Sequence, residues 1–327
     1  MSEDENGQRS QRPAIDALVV AGPTAGGKSA LALAVAERFG GTIINADSQQ
    51  LYRELRILTA RPSAEDEARV PHRLYGALPA SEAGSAERWR QMAVAEIQAV
   101  AAAGGRPILV GGTGLYLRAL IQGLAAVPEI PEAVRAEGRA LHLEIGGPAF
   151  HDRLAGLDPE AAERLAPGDS QRLVRAWEVV TATGRPLGDW QRASVPPADA
   201  PRVAALLVMP PRLALQPAIG TRFRAMLAAG AVAEVEALLA LGLSPDLPAM
   251  KAVGVPELAG YVAGQTSLEV ATAAAIRASE QYAKRQLTWF RHQAPRDMPV
   301  NRILREQYSE RLLPEIFSFV RRFWLTR

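Results

Sequence analysis

The sequence predicts an α/β fold in which helices flank a parallel sheet and an all-helical insertion interrupts the chain. Three observations predict it. A short apolar run at 17–21 leads through a glycine-rich loop into a helix-like segment, and a second apolar run follows at 42–46. A third apolar run at 107–110 again leads through glycines into a helix-like segment. Between 128 and 201, helical periodicity dominates and strand-like runs disappear.

The first glycine-rich loop matches the phosphate-binding pattern G-x-x-x-x-G-K-[ST], with the residues Gly22, Pro23, Thr24, Ala25, Gly26, Gly27, Lys28 and Ser29. Glycines let successive backbone amides point inward, and the following helix adds the positive end of its dipole. Lys28 supplies a charge for phosphate oxygens, and the Ser29 hydroxyl is the usual protein ligand of a bridging Mg²⁺. The loop therefore predicts a P-loop NTPase-like core. The alternative is a glycine-rich turn that only caps a buried helix.

Composition narrows the class of protein. The chain has 327 residues, of which 48% are hydrophobic, so it can bury a large core. It has no cysteine, which excludes disulfides and thiolate zinc sites and fits a reducing compartment. The first twelve residues lack the apolar core of a signal peptide, and no apolar run approaches the length of a membrane span. We expect a cytoplasmic protein with no membrane partner.

The chain order suggests how the domains are arranged. We expect a disordered tail at 1–12, the first part of the α/β core at 13–127 and a helical insertion at 128–200. The second part of the core, at 201–327, regains a strand at 203–209 and continues in C-terminal helices.

Polar side chains follow the second and third predicted strands. Asp47, Ser48, Gln49 and Gln50 come directly after the second strand, and Thr113 follows the third. Because ligands collect at the carboxyl ends of parallel strands, we expect Thr113 to lie near Lys28 and Asp47. A helix cap is the alternative role for Thr113 and for Asp47.

Two helices carry candidate nucleic-acid contacts. In the helix predicted at 170–183, Arg175 lies beside Gln171 and Arg172 on the surface, at spacings of four and three. The last long helix carries a basic stripe, Arg277, Lys284 and Arg291, and a neighbouring stripe, Tyr282, Gln286 and Trp289. Residues 271–327 hold eleven basic and five acidic side chains, against a net charge of +2 for the whole chain. This excess suits a polyanion, and a solvated face explains it equally well.

The strand at 107–110 ends in Gly111-Gly112 rather than in an acidic residue. Enzymes that cleave ATP at such a loop usually hold Mg²⁺ through an acidic residue at the end of a second apolar strand. Binding of a pyrophosphate group by this loop is therefore better supported than cleavage of ATP. An ATP-dependent small-molecule kinase is the second interpretation, and a non-catalytic RNA-binding protein is the third.

Nine motifs in order resemble those of the tRNA dimethylallyltransferases, also called tRNA isopentenyltransferases. They are GPTAGGKSALA, ADSQQLY, TARP, VPH, ILVGGTGLYLRAL, DSQRLVRAWEV, TGRPL, MKAVG and QYAKRQLTWFR, and they span residues 22–291. The resemblance implies a P-loop α/β core with a helical insertion. It also implies transfer of a dimethylallyl group from dimethylallyl diphosphate to N6 of the adenosine just 3′ of the tRNA anticodon.

The resemblance implies a role for each matching position. The loop from Gly22 to Ser29 would hold the diphosphate with Mg²⁺, and Asp47, Thr113 and Lys28 would be catalytic, with Asp47 as the base. The tRNA-contacting positions would be Asp47, Ser48, Gln49, Gln50, Thr113, Arg135, Gln171, Arg172, Leu173, Val174 and Arg175. The expected partners are the tRNA anticodon stem-loop and dimethylallyl diphosphate, and we expect a monomer.

Several positions depart from the family pattern. They include Glu54, Arg56, Leu58, Arg73, Ala218 and Val255. Ala218 stands where an arginine is frequent, which removes a positive charge near the diphosphate unless Arg222 or Arg212 compensates.

Overall fold

The computed structural model describes residues 15–294, 298 and 300–325. Within them, six parallel strands form one sheet in the order β3-β2-β4-β1-β5-β6. The strands are β1 (Asp16–Ala21), β2 (Gly41–Asn45), β3 (His72–Arg73), β4 (Arg106–Gly111), β5 (Arg202–Val208) and β6 (Val300–Leu304).

Helices connect the strands. Those before β5 are α1 (Lys28–Phe39), α2 (Ala64–Arg69), α3 (Ala86–Ala102), α4 (Gly114–Gln122), α5 (Glu132–Ala155), α6 (Pro159–Arg164), α7 (Ser170–Thr183) and α8 (Leu187–Arg192). Those after β5 are α9 (Arg212–Ala228), α10 (Ala231–Leu239), α11 (Val255–Val262), α12 (Leu268–His292) and α13 (Leu313–Leu325). Three 3-10 turns lie at Gln49–Leu51, Pro248–Lys251 and Glu310–Leu312. None of the helices in the described ranges is long and apolar enough to cross a membrane.

The sheet is buried on both faces, which explains why its strands are continuous apolar runs. Along β1, Leu18 and Val20 face a cluster that includes α1 and α13, whereas Val19 and Ala21 face a cluster on the opposite side of the sheet. This alternation confirms the prediction of an α/β fold with a parallel sheet between helices.

The chain divides into two compact units, one formed by residues up to 121 and from 197 onward, the other by residues 122–196. The second unit overlaps the predicted insertion at 128–200 and contains α5 to α8. Its helices pack around their own core, which includes Phe150, Leu154, Leu173 and Trp177.

Glycines permit the close approach of strands at the carboxyl edge of the sheet. Gly22 follows β1 at φ +146°, and a Cβ atom there would lie 2.1 Å from the carbonyl oxygen of Val208 in β5. Gly111 ends β4, and a Cβ atom there would lie 2.1 Å from the carbonyl oxygen of Ala46. Only glycine allows these approaches, so the phosphate loop and the loops after β2 and β4 converge at one edge.

Candidate active site

The phosphate loop lies between β1 and α1, as the sequence predicts. Gly27 precedes α1 with φ +93°, and Ala25 also has a positive φ, +60°. A non-glycine residue in this region is strained and persists only where neighbouring contacts hold it. The phosphate loop therefore has a strained backbone conformation that contacts from neighbouring residues must hold in place.

Contacts from the segment after β6 hold the loop in place. The Gln307 side-chain amide donates to the carbonyl oxygen of Ala25 at 3.3 Å, and the Tyr308 backbone amide donates to that of Gly26 at 3.4 Å. A Cβ atom on Gly27 would lie 2.7 Å from Cβ of Tyr308. Sequence patterns missed this contact because the two segments are more than 280 residues apart.

Lys28 is a half-buried cation at the start of α1. Its ammonium group donates to the carbonyl oxygen of Pro23 at 2.6 Å, which directs it back over the loop. Burial lowers the pKa of Lys28 to about 8, the charge of Asp47 opposes that shift and the charge of Arg222 adds to it. A cation at the start of a helix that follows a glycine-rich loop is suited to a polyphosphate.

Asp47 is a half-buried carboxyl group that follows β2. Its carboxylate accepts hydrogen bonds from the backbone amides of Gln49, at 3.0 Å, and Gly112. Burial raises the pKa of Asp47, whereas Lys28, these amides and Arg222 lower it. Opposing influences of this kind are common at acid–base sites.

Thr113 joins the loops after β2 and β4. Its hydroxyl accepts from the Ser48 backbone amide at 2.9 Å and contacts the Ser48 hydroxyl at 3.2 Å. The Tyr282 hydroxyl on α12 hydrogen-bonds to both side chains. Thr113 therefore lies beside the Asp47 segment, and its hydroxyl ties the two loops together.

Two side chains from the C-terminal helices complete the site. The Arg222 guanidinium donates to the Thr24 hydroxyl at 2.5 Å. The Gln286 side chain accepts from the Thr24 backbone amide at 2.8 Å and donates to the carbonyl oxygen of Gly112 at 3.0 Å. Arg222 therefore places a positive charge beside the phosphate loop. Gln286, noted only as part of a helical stripe, links the phosphate loop to the loop after β4.

The side chains surround a cleft with about 500 Å³ of space, including space open to solvent. Asp47, Thr24, Arg222 and Tyr282 line its polar side. The apolar lining residues are Leu58, Ile219, Phe223, Met226 and Val253. One anionic and one apolar group of a ligand could therefore occupy it together.

The remaining predicted residues of this unit have separate positions. Gln49 lines the cleft. The Gln50 side-chain amide donates to the carbonyl oxygens of Thr59 and Ala60, both at 2.8 Å, so it shapes the wall of the cleft. Ser29 is exposed at the first turn of α1.

The departures from the family pattern are accommodated locally. The Glu54 carboxylate accepts from the Ala80 amide at 2.8 Å, and Arg56 pairs with Glu67 at 3.3 Å. Arg73 lies 3.7 Å from Glu96, whereas Leu58 and Val255 are buried.

In the helical unit, the residues of α7 that are predicted to contact tRNA differ in their exposure to solvent. Gln171 and Arg172 are exposed, and Arg172 lies 3.4 Å from Asp169. Arg175 lies 3.3 Å from Glu178. Leu173 requires a correction, because its side chain is fully buried in the core of the unit and is not accessible to RNA.

Two further predicted residues in this unit are partly buried. Val174 packs against the same core as Leu173. Arg135 is half-buried, and its Nε atom has no hydrogen-bond partner among the described residues.

Comparisons with known proteins identify the family of this chain. The family model described as IPP transferase matches residues 50–293. The chain is 61% identical over 279 residues to a tRNA dimethylallyltransferase of Rhodospirillum centenum, covering 84% of this chain and 88% of that relative. The structure of this chain is similar to that of a tRNA isopentenylpyrophosphate transferase from Bacillus halodurans, with a TM-score of 0.66 and 31% identity. The similarity covers 94% of this chain and 96% of that one.

A third comparison concerns the fold alone. A crystallographically studied eukaryotic dimethylallyltransferase acting on tRNA has a TM-score of 0.75 at 22% identity, covering 94% of this chain and 79% of that one. With the family model matching most of the chain and the relatives covering nearly all of it, this chain belongs to the tRNA dimethylallyltransferase family of prenyltransferases.

Proposed function

We propose that this enzyme transfers a dimethylallyl group from dimethylallyl diphosphate to N6 of the adenosine just 3′ of the anticodon in tRNA. One observation carries the proposal: the half-buried carboxyl group of Asp47 lies close to Lys28 and Arg222, beside a cleft that has an apolar wall. An ATP-dependent kinase would use the same loop but would transfer a phosphate group instead.

The cleft suits both halves of the donor. The diphosphate would lie against the loop amides, where Lys28 and Arg222 provide positive charge. The dimethylallyl group would pack against the apolar wall, which includes Leu58 and Phe223. The electrophilic carbon at their junction would then face Asp47.

The reaction breaks the bond between C1 of the dimethylallyl group and the diphosphate oxygen, and forms a bond between C1 and N6. Positive charge develops on the allylic carbon C1 as the diphosphate leaves. Stabilising the negative charge of the departing diphosphate therefore lowers the main barrier. The carboxylate of Asp47 accepts the proton that N6 loses. The products are the prenylated adenosine and pyrophosphate, which carries the electron pair of the broken bond.

Oxygen ligands at this site suit Mg²⁺. The Ser29 hydroxyl is exposed and makes no hydrogen bond to another described residue, so it is free to bind a cation. The described residues contain no group of three or more His, Cys, Asp or Glu side chains that could hold a metal ion. Ser29 would therefore hold Mg²⁺ together with donor phosphate oxygens, as is usual for this small cation. When bound, Mg²⁺ would neutralise charge on the leaving diphosphate.

The tRNA would present its target adenine as an unstacked base. Enzymes that act on a base commonly extrude it from the stack, and a single-stranded loop lowers the cost. Gln49 lines the cleft, and Ser48 and Thr113 hydrogen-bond to Tyr282, which also lines it, so all three would contact the target nucleoside. The cytoplasmic location and the monomeric state stay predictions from the sequence.

We expect charge reversal in α7 to weaken tRNA binding without affecting the donor. Arg172→Glu or Arg175→Glu should each lower tRNA affinity by about tenfold at moderate salt and reduce the salt-dependence slope by about one, because each removes a phosphate contact. Pyrophosphate affinity should stay at the parental value, since both residues lie in the helical unit. Filter binding at several salt concentrations measures both quantities. Parental tRNA affinity in both variants would contradict the assignment.

Donor binding should depend on the protonation of Lys28. Because its pKa is lowered to about 8, Lys28 loses its charge as the pH rises through that value, and pyrophosphate affinity should fall by up to about tenfold per pH unit above it. Calorimetric titration between pH 6.5 and 9.5 measures this fall. Lys28→Arg is the matched control, because arginine keeps its charge throughout the range. The proposal fails if both proteins show the same pH profile.

The activity itself is tested by incubating the enzyme with tRNA, dimethylallyl diphosphate and Mg²⁺. Mass spectrometry of the digested nucleosides should show N6-(dimethylallyl)adenosine, and sequencing of the modified fragment should place it 3′ of the anticodon. The kinase interpretation predicts phosphate transfer from ATP to a small molecule and no prenylated nucleoside.

A further inference from the structure

A second basic pocket lies away from the active site, in the first compact unit. Arg38, Phe39, Arg106, Arg321, Trp324 and Leu325 line this cavity, which we call the Arg106 pocket. Its volume is about 650 Å³, including space open to solvent. Three of its six lining residues are arginines and none is acidic, which marks it as a site for an anion.

The aromatic residues hold Arg106 in place. Its guanidinium lies 5.0 Å from the ring centre of Trp324 and 5.9 Å from that of Phe39, and it donates to the Phe39 carbonyl oxygen at 3.1 Å. Phe39 contacts Trp324 edge-on at 5.5 Å, so the two rings form a fixed support. A guanidinium held in this way loses little further freedom when it binds a ligand.

Most of the donors in the Arg106 pocket are unused. Each guanidinium carries five N–H donors. Among the described residues, Arg106 uses one for Phe39, and neither Arg38 nor Arg321 forms an ion pair. The neighbouring acidic residue Glu37 is already paired with Arg69 at 2.7 Å. Phosphate groups match such arginine clusters because they accept two parallel hydrogen bonds from one guanidinium.

The position of the pocket separates it from the reaction. Lys28 begins α1 at the phosphate loop, and Phe39 ends α1 at the pocket. A helix of 12 residues is about 18 Å long. Arg106 begins β4, so the pocket lies at the amino edge of the sheet, opposite the edge that carries Asp47. A phosphate bound here cannot belong to the reacting nucleotide or to the donor.

We propose that the Arg106 pocket binds the phosphodiester backbone of the tRNA substrate outside its anticodon stem-loop. The inference rests on the proposed function in one respect, which is that tRNA is the polyanion that the pocket binds. Contacts of this kind position a nucleic acid without reading its sequence. The pocket would then add affinity for whole tRNA that a short anticodon fragment cannot gain.

The test compares two RNAs on one variant. In Arg38→Glu/Arg321→Glu, both changed residues are exposed. We expect the affinity for full-length tRNA to fall by about tenfold or more near 0.1 M salt and the slope of log affinity against log salt to drop by about two. Affinity for the isolated anticodon stem-loop, and prenyl transfer to it, should change less than twofold.

The double variant Arg38→Lys/Arg321→Lys keeps the charge and should retain most of the affinity for full-length tRNA. Three results would each overturn the proposal: parental affinity of the glutamate variant for full-length tRNA, an equal loss for both RNAs, or an equal loss in the lysine and glutamate variants. The tRNA affinities are measured without dimethylallyl diphosphate, so they do not depend on prenyl transfer. If the parent transferred no prenyl group, that result would count against the proposed function but not against the Arg106 pocket.

Discussion

Replacing Lys28 with alanine should lower single-turnover prenyl transfer by roughly a hundredfold or more, because it removes the cation that faces the leaving diphosphate. Lys28 is half-buried and close enough to Asp47 and Arg222 for their charges to shift its pKa, so its loss would leave Arg222 to offset the charge of the diphosphate. Its hydrogen bond to Pro23 is lost as well, which loosens the loop that presents the backbone amides. We therefore expect weaker pyrophosphate binding together with the slower chemical step.

Rapid-quench measurements with saturating tRNA and donor separate these two effects. Lys28→Arg is the matched control, because it keeps the positive charge but changes the shape of the side chain. Its single-turnover rate should lie between those of the parent and the alanine variant. tRNA affinity should change little in either variant, because the proposed tRNA contacts do not include Lys28. Near-parental turnover of Lys28→Ala would refute the role of the loop in catalysis.

Asp47→Asn should lower the single-turnover rate by about a hundredfold to ten-thousandfold, which is the usual range for loss of a general base. Asparagine has nearly the same size but cannot accept the N6 proton or offset positive charge on the alkylated amine. The change also removes a negative charge beside Lys28 and Arg222. Donor affinity should therefore be kept or slightly increased while the rate falls.

The structure sharpens the alternative, in which Asp47 only organises its loop. The carboxylate accepts from the Gln49 and Gly112 amides, and an asparagine oxygen can keep one of these hydrogen bonds. A purely structural role predicts a modest loss of thermal stability and a near-parental rate for Asp47→Asn. Asp47→Ala provides the control, because it removes both hydrogen bonds. A rate loss seen only in the alanine variant would exclude the assignment of Asp47 as the base.

The sequence by itself predicted the strand-loop-helix unit, the parallel sheet and the helical segment between the two parts of the core. Each of these depends on local patterns: apolar runs for buried strands, glycines for tight turns and a 3.6-residue period for helices. The same local rules placed Lys28, Asp47 and Thr113 at the carboxyl edge of the sheet, because parallel strands end at a common edge. The structure has all three at that edge.

Only the tertiary structure decided which distant side chains meet the phosphate loop. Arg222, Gln286 and Tyr308 come from segments that are 198, 262 and more than 280 residues away from their partners in the loop. The sequence placed Gln286 on a stripe beside the basic stripe that carries Lys284, but it did not show that Gln286 is buried against the phosphate loop whereas Lys284 is exposed. Burial likewise assigned Leu173 to the core of the helical unit, although it lies between residues proposed to contact tRNA. Helix packing determines which face is covered, and packing is a property of the whole fold rather than of any one segment.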